Sequence, residues 1–212
     1  MACLLANMER WPRALPLVVE KRDRRQDLMR SAISVFARYG YHETGIRAIV
    51  EEAECAIGTF YLYFSSKADC FIALIDALYH QTMQAVMAER SEFSTAEAKL
   101  RGSLSAVVEV LLRERDLTRV VLVQAVGADP LLETHLWHIH RTFADLLAGE
   151  LEECGLGPER SSLGAWAFVG ALAEVFGLWA REPEQNLEEM ARGVRSLFWT
   201  AWGLENASDG PV

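Results

Sequence analysis

The chain has 212 residues, of which 51% are hydrophobic and 24% are charged, and its formal net charge is −9. This composition is that of a folded globular protein and excludes an intrinsically disordered chain. The charge is unevenly distributed, because residues 1–67 contain ten basic and eight acidic residues whereas residues 68–212 contain 11 and 22. The sequence therefore predicts two modules, of which only the first suits a polyanionic partner.

The first 21 residues are expected to form an N-terminal extension rather than a signal peptide. Two arginines follow the short apolar start and two prolines interrupt it, which is the wrong order for secretion. The longest apolar stretch that we recognise, residues 104–126, is broken by charged residues, so no membrane span is expected. The four cysteines are far apart and form no C-x-x-C pair, which argues against structural zinc or disulfides. We therefore expect a cytoplasmic protein.

Apolar residues at helical spacing predict three helices in the first module. The first covers residues 24–39 and ends at Gly40, whose lack of a side chain suits a helix C-terminus. Thr44 is placed to cap a second helix with apolar residues at positions 46, 49, 50 and 53. A three-residue turn leads to a third helix over residues 57–64. This arrangement predicts a helix-turn-helix domain over residues 22–67.

The rest of the chain has helical periodicity and no strand-like alternation. We predict an all-α fold of about nine helices, with a larger C-terminal helical bundle over residues 68–204 and a flexible tail over 205–212. Capping signals place the later helices as follows: 67–90, 94–113 after a capping box, 116–126 with Asp116 as cap, 129–154 after Asp129-Pro130, from Ser161 or Ser162 to before Pro183, and 184–202.

Two runs in the first module carry a specific resemblance. The run TGIRAIV, Thr44 to Val50, is followed by GTFYLYFSSK, Gly58 to Lys67, and together they resemble the DNA-binding domain of the tetracycline-repressor (TetR) family. The resemblance implies a dimeric transcriptional repressor that binds an inverted-repeat operator in double-stranded DNA. It also implies a C-terminal domain that binds a small-molecule effector, with no cofactor and no enzymatic activity.

The side chains of these runs suggest roles in DNA binding. Glycine at position 58 permits close approach to the DNA backbone, and tyrosine hydroxyls can reach phosphates while their rings contact sugars and thymine methyl groups. A lysine at a helix N-terminus favours a phosphate oxygen. The candidate DNA-binding residues are Thr44, Arg47, Gly58, Thr59, Tyr61, Leu62, Tyr63 and Lys67. Phe60 and Phe64 are expected to be core, and packing remains the alternative role for the two tyrosines.

Four positions depart from the family pattern: Gly45, Ala48, Glu54 and Ala56. Glu54 stands where the turn usually has glycine, and Ala56 stands where serine usually caps the recognition helix. Loss of such a cap costs about 1 kcal/mol of local helix stability. The shape of the motif is therefore expected to survive, whereas operator affinity is open.

The last two predicted helices have small and apolar residues at spacings that permit close helix approach. Together with the resemblance, these stripes predict a four-helix interface between two subunits, although the core of a monomer is the alternative. The candidate interface residues are Gly170, Gly177, Leu187, Met190, Val194, Leu197, Phe198 and Ala201.

Large aromatic residues among small ones in the C-terminal helices suit an apolar cavity. The resemblance places the effector between the long fourth helix and those that follow it, which gives the candidate ligand-binding residues Met83, Leu104, Val108, Trp137, Phe143, Trp166 and Phe176. Ordinary core packing is the alternative for each of them. The histidines at 135, 138 and 140 place only the first pair on one helix face, so no metal site is expected.

The identity of the effector stays open at this point. A long apolar cavity suits acyl chains or acyl-CoA esters, which we favour over cationic drugs that an acidic domain would tolerate. Two other function classes compete with a repressor. An enzyme is disfavoured because the sequence has no nucleophile-base motif or phosphate loop, and a helical ligand-binding or scaffold protein with weakened DNA binding is kept open by Glu54 and Ala56.

Overall fold

The structure is a computed structural model that describes residues 23–125, 127–182 and 184–204. The predicted extension over residues 1–21 and the tail over 205–212 lie outside the described residues. The described part of the chain contains helices and no strands, as the sequence predicts. The helices are α1 Arg24–Glu43, α2 Ile46–Glu52, α3 Ile57–Tyr61, α4 Lys67–Ser91, α5 Ala96–Arg113, α6 Arg115–Gln124, α7 Pro130–Glu153, α8 Pro158–Arg181 and α9 Leu187–Trp202.

The first three helices form a small domain around α1. The side chain of Asp23 caps α1 by accepting a hydrogen bond from the Arg25 amide at 3.0 Å. Gly40 interrupts the helix with a φ of 79°, a left-handed conformation that glycine adopts without strain. The predicted end of the first helix at this residue is therefore confirmed, and a further turn to Glu43 follows the interruption.

Three later helices begin elsewhere than their capping signals predict. The helix expected to start at Asp116 begins at Arg115, and Asp116 lies inside its first turn. The helix expected to start at Ser161 or Ser162 begins at Pro158, because proline fits the first turn of a helix, where the missing amide has no partner to lose.

The helix expected to start at residue 184 begins instead at Leu187. The side chain of Asn186 caps it by accepting a hydrogen bond from the Glu189 amide at 3.2 Å. These differences move the ends of helices and leave their order unchanged.

The C-terminal domain is a bundle in which α4 packs on α5, α7 packs on α8, and α9 packs on α8. A continuous apolar core connects this bundle with the first domain. Phe71 of α4 lies against Phe36 and Tyr41 of α1, with ring centroids 5.1 and 5.3 Å apart. The first domain therefore packs on α4 beyond residue 67, and the division into domains at that residue remains a prediction.

Helix α8 is long and apolar enough, by length and composition alone, to cross a membrane over Pro158–Trp179. The expectation that no segment of the chain is long and apolar enough to span a membrane is therefore wrong for this helix. One such helix is weak evidence of a membrane span, because a helix at a core or an interface between subunits has the same composition. Only 28% of this segment is buried in the chain by itself, so much of its apolar surface is exposed in the single chain.

Candidate DNA-binding surface and ligand cavity

Helices α2 and α3 form a helix-turn-helix whose turn is strained at one residue. Glu54 has a φ of 50°, and glycine is the residue that adopts such a conformation at least cost. Neither α2 nor α3 has a side-chain cap, since Gly45 and Ala56 occupy the N-cap positions. The departures at 45, 54 and 56 therefore cost local stability without preventing the motif from forming.

The strained turn leads to a first testable prediction. Glu54→Gly is expected to raise the free energy of unfolding by about 1 kcal/mol, because it removes the left-handed strain of a residue with a Cβ. For a protein of this size, that corresponds to an increase in Tm of roughly 2–4 °C, measured by circular dichroism. The control is Glu51→Gly, which places glycine inside α2 and is expected to lower stability by about 1 kcal/mol. A Glu54→Gly protein no more stable than the parent would contradict the prediction.

The third helix presents one face to the core and the other to solvent. Phe60 and Phe64 are fully buried, as predicted for core residues. The predicted DNA-binding residues Gly58, Tyr61, Leu62 and Tyr63 are exposed and Thr59 is half-buried. Arg47 on α2 is also exposed. We call these six residues the recognition surface.

Thr44 and Lys67 do not belong to the recognition surface, which corrects two sequence expectations. Thr44 is 1% exposed, and its hydroxyl donates to the Gly40 carbonyl at 2.6 Å instead of capping α2. The Lys67 ammonium donates to the carbonyls of Tyr41 at 2.6 Å and Thr44 at 2.9 Å, and it lies 4.3 Å from the Tyr41 ring centroid. Burial lowers the pKa of Lys67, and its charge satisfies the backbone at the end of α1.

Acidic and basic residues balance in the described part of the first domain. Residues 23–67 contain six of each, so the positive excess predicted for the front of the chain belongs to residues outside the described part. Glu52 forms an ion pair with Arg38 and accepts a hydrogen bond from Ser34 at 3.0 Å. The Arg38 guanidinium lowers the pKa of this carboxyl. Among the described residues Arg47 forms no ion pair, and it places a positive charge on the recognition surface.

The C-terminal bundle encloses an apolar cavity of about 150 Å³ between α4, α5, α6, α7 and α8. Helix α5 contributes side chains at helical spacing, namely Leu100, Leu104, Val107 and Leu111, and α6 contributes Val121 and Leu122. Apart from a few polar groups, the walls are aliphatic and aromatic. This geometry suits the hydrocarbon part of a ligand.

Three of the seven predicted ligand-binding residues line this cavity, namely Leu104, Phe143 and Phe176. Met83 is buried in the core beside it, because it lies on a neighbouring face of α4 from the lining residues Tyr79 and Val86. The expectation is therefore wrong for the four residues that do not line the cavity, namely Met83, Val108, Trp137 and Trp166.

Trp137 and Trp166 are exposed, whereas Val108 is half-buried. Trp137 and Trp166 lie on the surface of α7 and α8, where their rings stack with centroids 6.3 Å apart. Val108 lines a second space, a groove described below.

The polar groups of the cavity leave little charge facing its interior. Glu150 is buried and forms an ion pair with Arg90. Burial lowers the pKa of His140, which favours the neutral imidazole, and raises the pKa of the Tyr79 hydroxyl. The buried Ser103 hydroxyl has no hydrogen-bond partner among the described residues. The site therefore offers a neutral polar atom and no unpaired carboxylate.

Helix α6 connects this cavity to the DNA-binding domain. Its residues Val121 and Leu122 line the cavity. Three residues after Val121, the Gln124 side-chain amide donates a hydrogen bond to the Phe36 carbonyl of α1 at 2.8 Å. Sequence reasoning missed Gln124, because no local signal pairs a glutamine with a backbone carbonyl 88 residues away.

A second connection joins α7 to the end of α1. The Tyr41 hydroxyl forms a hydrogen bond with the Asp129 carboxylate, which also caps α7 through the Leu131 amide at 2.9 Å. Burial, and secondarily this carboxylate, raise the pKa of the Tyr41 hydroxyl. Both ends of the loop between α6 and α7 therefore contact α1.

The outer faces of α8 and α9 expose the small and apolar residues that a subunit interface needs. Of the predicted interface residues, Gly170, Leu197 and Ala201 are exposed, and Met190, Val194 and Phe198 are half-buried. Leu187 and Gly177 are buried within the chain itself, because both face the bundle. Trp166, Leu163 and Leu178 extend the exposed stripe along α8 and were missed as interface candidates. We call this stripe the outer face.

The histidines of α7 do not converge with other metal ligands. His135 Nε2 lies 2.6 Å from the Asp76 carboxylate of α4, His138 is exposed, and His140 reaches the cavity. Within the described residues, no group of three or more His, Cys, Asp or Glu side chains is arranged to hold a metal ion.

Comparison with known proteins identifies the first domain. The family model for bacterial regulatory proteins of the tetR family matches residues 28–74, which cover most of α1, all of α2 and α3, and the start of α4. The DNA-binding domain of this chain therefore matches the TetR family. The family and the relatives of this chain are transcriptional regulators.

Relatives with known functions extend the match into the C-terminal domain. The chain is 28% identical over 134 residues to the fatty acid metabolism regulator protein of Bacillus subtilis, across 63% of this chain and 69% of that protein. The structure of the fatty acid degradation regulator FadR from Bacillus halodurans has a TM-score of 0.75 at 22% identity, covering 89% of this chain and 100% of that one.

A third comparison is with a structure that contains a ligand. FadR from Bacillus subtilis, solved in complex with stearoyl-CoA, has a TM-score of 0.68 at 23% identity, covering 82% of this chain and 96% of that one. These structures share the fold of this chain in both domains.

Proposed function

We propose that this TetR-family chain is a ligand-responsive transcriptional repressor, working in the cytoplasm and without enzymatic activity. A homodimer binds an inverted-repeat operator, and a long-chain acyl-CoA whose acyl chain enters the C-terminal cavity releases it. The observation that carries the proposal is the double role of α6, which lines the cavity and holds α1 of the DNA-binding domain.

The recognition surface supports the DNA-binding half of the proposal. The exposed side chains at the end of α3 and directly after it combine two tyrosine hydroxyls for phosphates with an exposed leucine, Leu62, for thymine methyl groups. Arg47 adds a guanidinium from α2, suited to a phosphate or to the major-groove edge of guanine. Lys67 and Thr44 contribute by fixing the end of α1, which positions α2 and α3.

The outer face supports a homodimer. An exposed apolar stripe on two adjacent antiparallel helices, with glycine at 170, lets two subunits form a four-helix interface with closely spaced backbones. A two-fold dimer presents two copies of α3, each suited to one half of an inverted repeat.

The cavity supports an acyl chain over a cationic drug. Its walls are nearly all apolar, and its carboxylate, Glu150, is already paired with Arg90. A cation would have to be buried without a free counter-charge, which is costly. Each methylene group of an acyl chain instead gains about 0.8 kcal/mol on burial. Similarity to the Bacillus fatty acid regulators supports the same class of ligand.

Release follows from the position of α6. A ligand in contact with Val121 and Leu122 favours the conformation in which α6 makes room for it. Gln124 transmits that displacement to α1. A rotation of each DNA-binding domain changes the separation of the two recognition surfaces, and half-sites at a fixed spacing are then no longer matched.

The recognition surface is tested by a double substitution. Arg47→Ala with Tyr61→Ala is expected to weaken operator binding by about hundredfold at fixed salt, because each contact contributes about 1–2 kcal/mol. It is also expected to reduce the slope of affinity against salt. Gel retardation on the duplex that the protein selects from genomic fragments measures both quantities.

The matched control for this pair is Tyr39→Ala on α1, because Tyr39 is 57% exposed and Tyr61 is 55% exposed. Full affinity in the double variant would remove this assignment of the recognition surface.

The second candidate function, a ligand-binding protein with weakened DNA binding, is supported by the strained Glu54 and the uncapped α3. It would be favoured if the parent protein bound no duplex specifically, and the repressor is favoured if palmitoyl-CoA releases a specific complex.

A further inference from the structure

We infer that the groove between α5 and α9 binds the polar headgroup of the effector, the nucleotide and pantetheine part of an acyl-CoA, while the acyl chain occupies the cavity. This inference rests on the proposed function. The groove has a volume of about 300 Å³ and is lined on α9 by two arginines, Arg192 and Arg195. Neither comparison with known proteins nor the sequence motifs assign a role to it.

The groove and the cavity are separated by side chains and not by backbone. Leu104 of α5 and Phe168 and Leu172 of α8 line both spaces. Helices α5 and α8 make almost no direct backbone contact with each other, because α5 packs on α4 while α8 packs on α7 and α9. Rotation of these three side chains is therefore sufficient to join the two spaces, which gives an acyl-CoA a path with its chain inside and its headgroup outside.

The charges of the groove match the headgroup. Arg195 donates to the Ser105 hydroxyl at 3.4 Å, and within the described residues neither guanidinium forms an ion pair, so both are available to phosphate oxygens. Glu109 and Glu188 also line the groove. The headgroup of CoA carries negative phosphates, which are complementary to the arginines. It also carries amide, hydroxyl and amino donors, which are complementary to the carboxylates.

The groove lies largely outside the proposed subunit interface. At 100° per residue, Arg192 and Arg195 are about 140° and 160° around α9 from Leu197, which is 67% exposed on the outer face. Phe198, at the edge of the outer face, is about 60° from Arg195, so dimerisation through the outer face leaves Arg192 accessible and places Arg195 at the edge of the interface. The Ser103 hydroxyl, a polar group of the cavity, lies on the side of α5 that faces away from the groove.

The test compares palmitoyl-CoA with palmitate in the full-length dimer by isothermal titration calorimetry. Arg192→Gln with Arg195→Gln is expected to weaken palmitoyl-CoA binding by about tenfold or more, because charge-assisted hydrogen bonds to phosphate are lost. Palmitate, which lacks the headgroup, is expected to bind within about twofold of its affinity for the parent protein. The matched control is Arg113→Gln with Arg141→Gln, two exposed arginines outside the groove, which is expected to leave both ligands unchanged.

The outcomes separate this inference from the proposed function. If palmitoyl-CoA binds the parent protein and releases DNA but the double substitution at Arg192 and Arg195 does not change palmitoyl-CoA binding, the headgroup site is wrong and the proposed function stands. If Ser103→Ala weakens palmitoyl-CoA binding and the arginine pair does not, the headgroup lies at the other side of the cavity and the inference is again overturned. If the parent protein binds no acyl-CoA, both the inference and the acyl-CoA effector fail.

Discussion

Leu197→Glu is expected to convert the dimer into monomers and to abolish high-affinity operator binding. The side chain of Leu197 is 67% exposed in the single chain, at the centre of the exposed part of α9. In a two-fold interface the substitution places two carboxylates in apolar surroundings without counter-charges. The cost is at least about 3 kcal/mol per dimer, a change of at least about hundredfold in the dimer dissociation constant. Sedimentation velocity at micromolar concentration measures the change in mass.

The matched control for this variant is Leu131→Glu. Leu131 is 63% exposed on α7, outside the outer face, so the same substitution there is expected to leave the dimer intact. Thermal denaturation would establish that both variants are folded. A Leu197→Glu protein that sediments as a dimer, or a parent protein that sediments as a monomer, would mean that the outer face is not the interface.

The second large effect is expected from filling the cavity. Val107 lies at the middle of the lining face of α5, and Val107→Trp puts an indole into the space of the acyl chain. Displacing four methylene groups costs about 3 kcal/mol, so palmitate and palmitoyl-CoA are both expected to bind at least about hundredfold more weakly. Because the recognition surface is untouched, the variant should retain the operator at effector concentrations that release the parent protein.

Val108→Trp is the control for the cavity variant. Val108 is the next residue on the same helix and is also half-buried, but it faces the groove. This variant is expected to bind palmitate as the parent does, whereas Val107→Trp does not. Equal palmitate binding by both variants would show that the acyl chain lies elsewhere than in this cavity.

Helical periodicity was sufficient to predict the all-α architecture, whereas the DNA-contact residues stay a prediction. Gly40 ends the main part of α1 as expected, and the buried pair Phe60 and Phe64 separates cleanly from the exposed Tyr61 and Tyr63. These assignments depend on local spacing within one or two helical turns. The resemblance in the same run supplied the family, which the comparison confirmed.

Assignments that depend on distant packing were less accurate. The spacing of residues shows that Lys67 begins a helix, but not that its ammonium is held by carbonyls more than 20 residues earlier. Similarly, period alone cannot tell an aromatic residue in a cavity, such as Phe143, from one on the surface, such as Trp137. The distinction depends on which helix packs opposite, and that is fixed only by the whole bundle.

The double role of α6 has a thermodynamic consequence for how the regulator responds in a cell. Because one helix of ten residues lines the cavity and contacts α1 of the DNA-binding domain, the same free energy couples the two sites, and DNA must weaken effector binding by the same factor by which effector weakens DNA binding. In the proposed mechanism, dimers on an operator therefore bind the effector less tightly than dimers free in solution. The effector concentration that ends repression is consequently set by the operator affinity as much as by the cavity, so each target gene has its own threshold for the same metabolite.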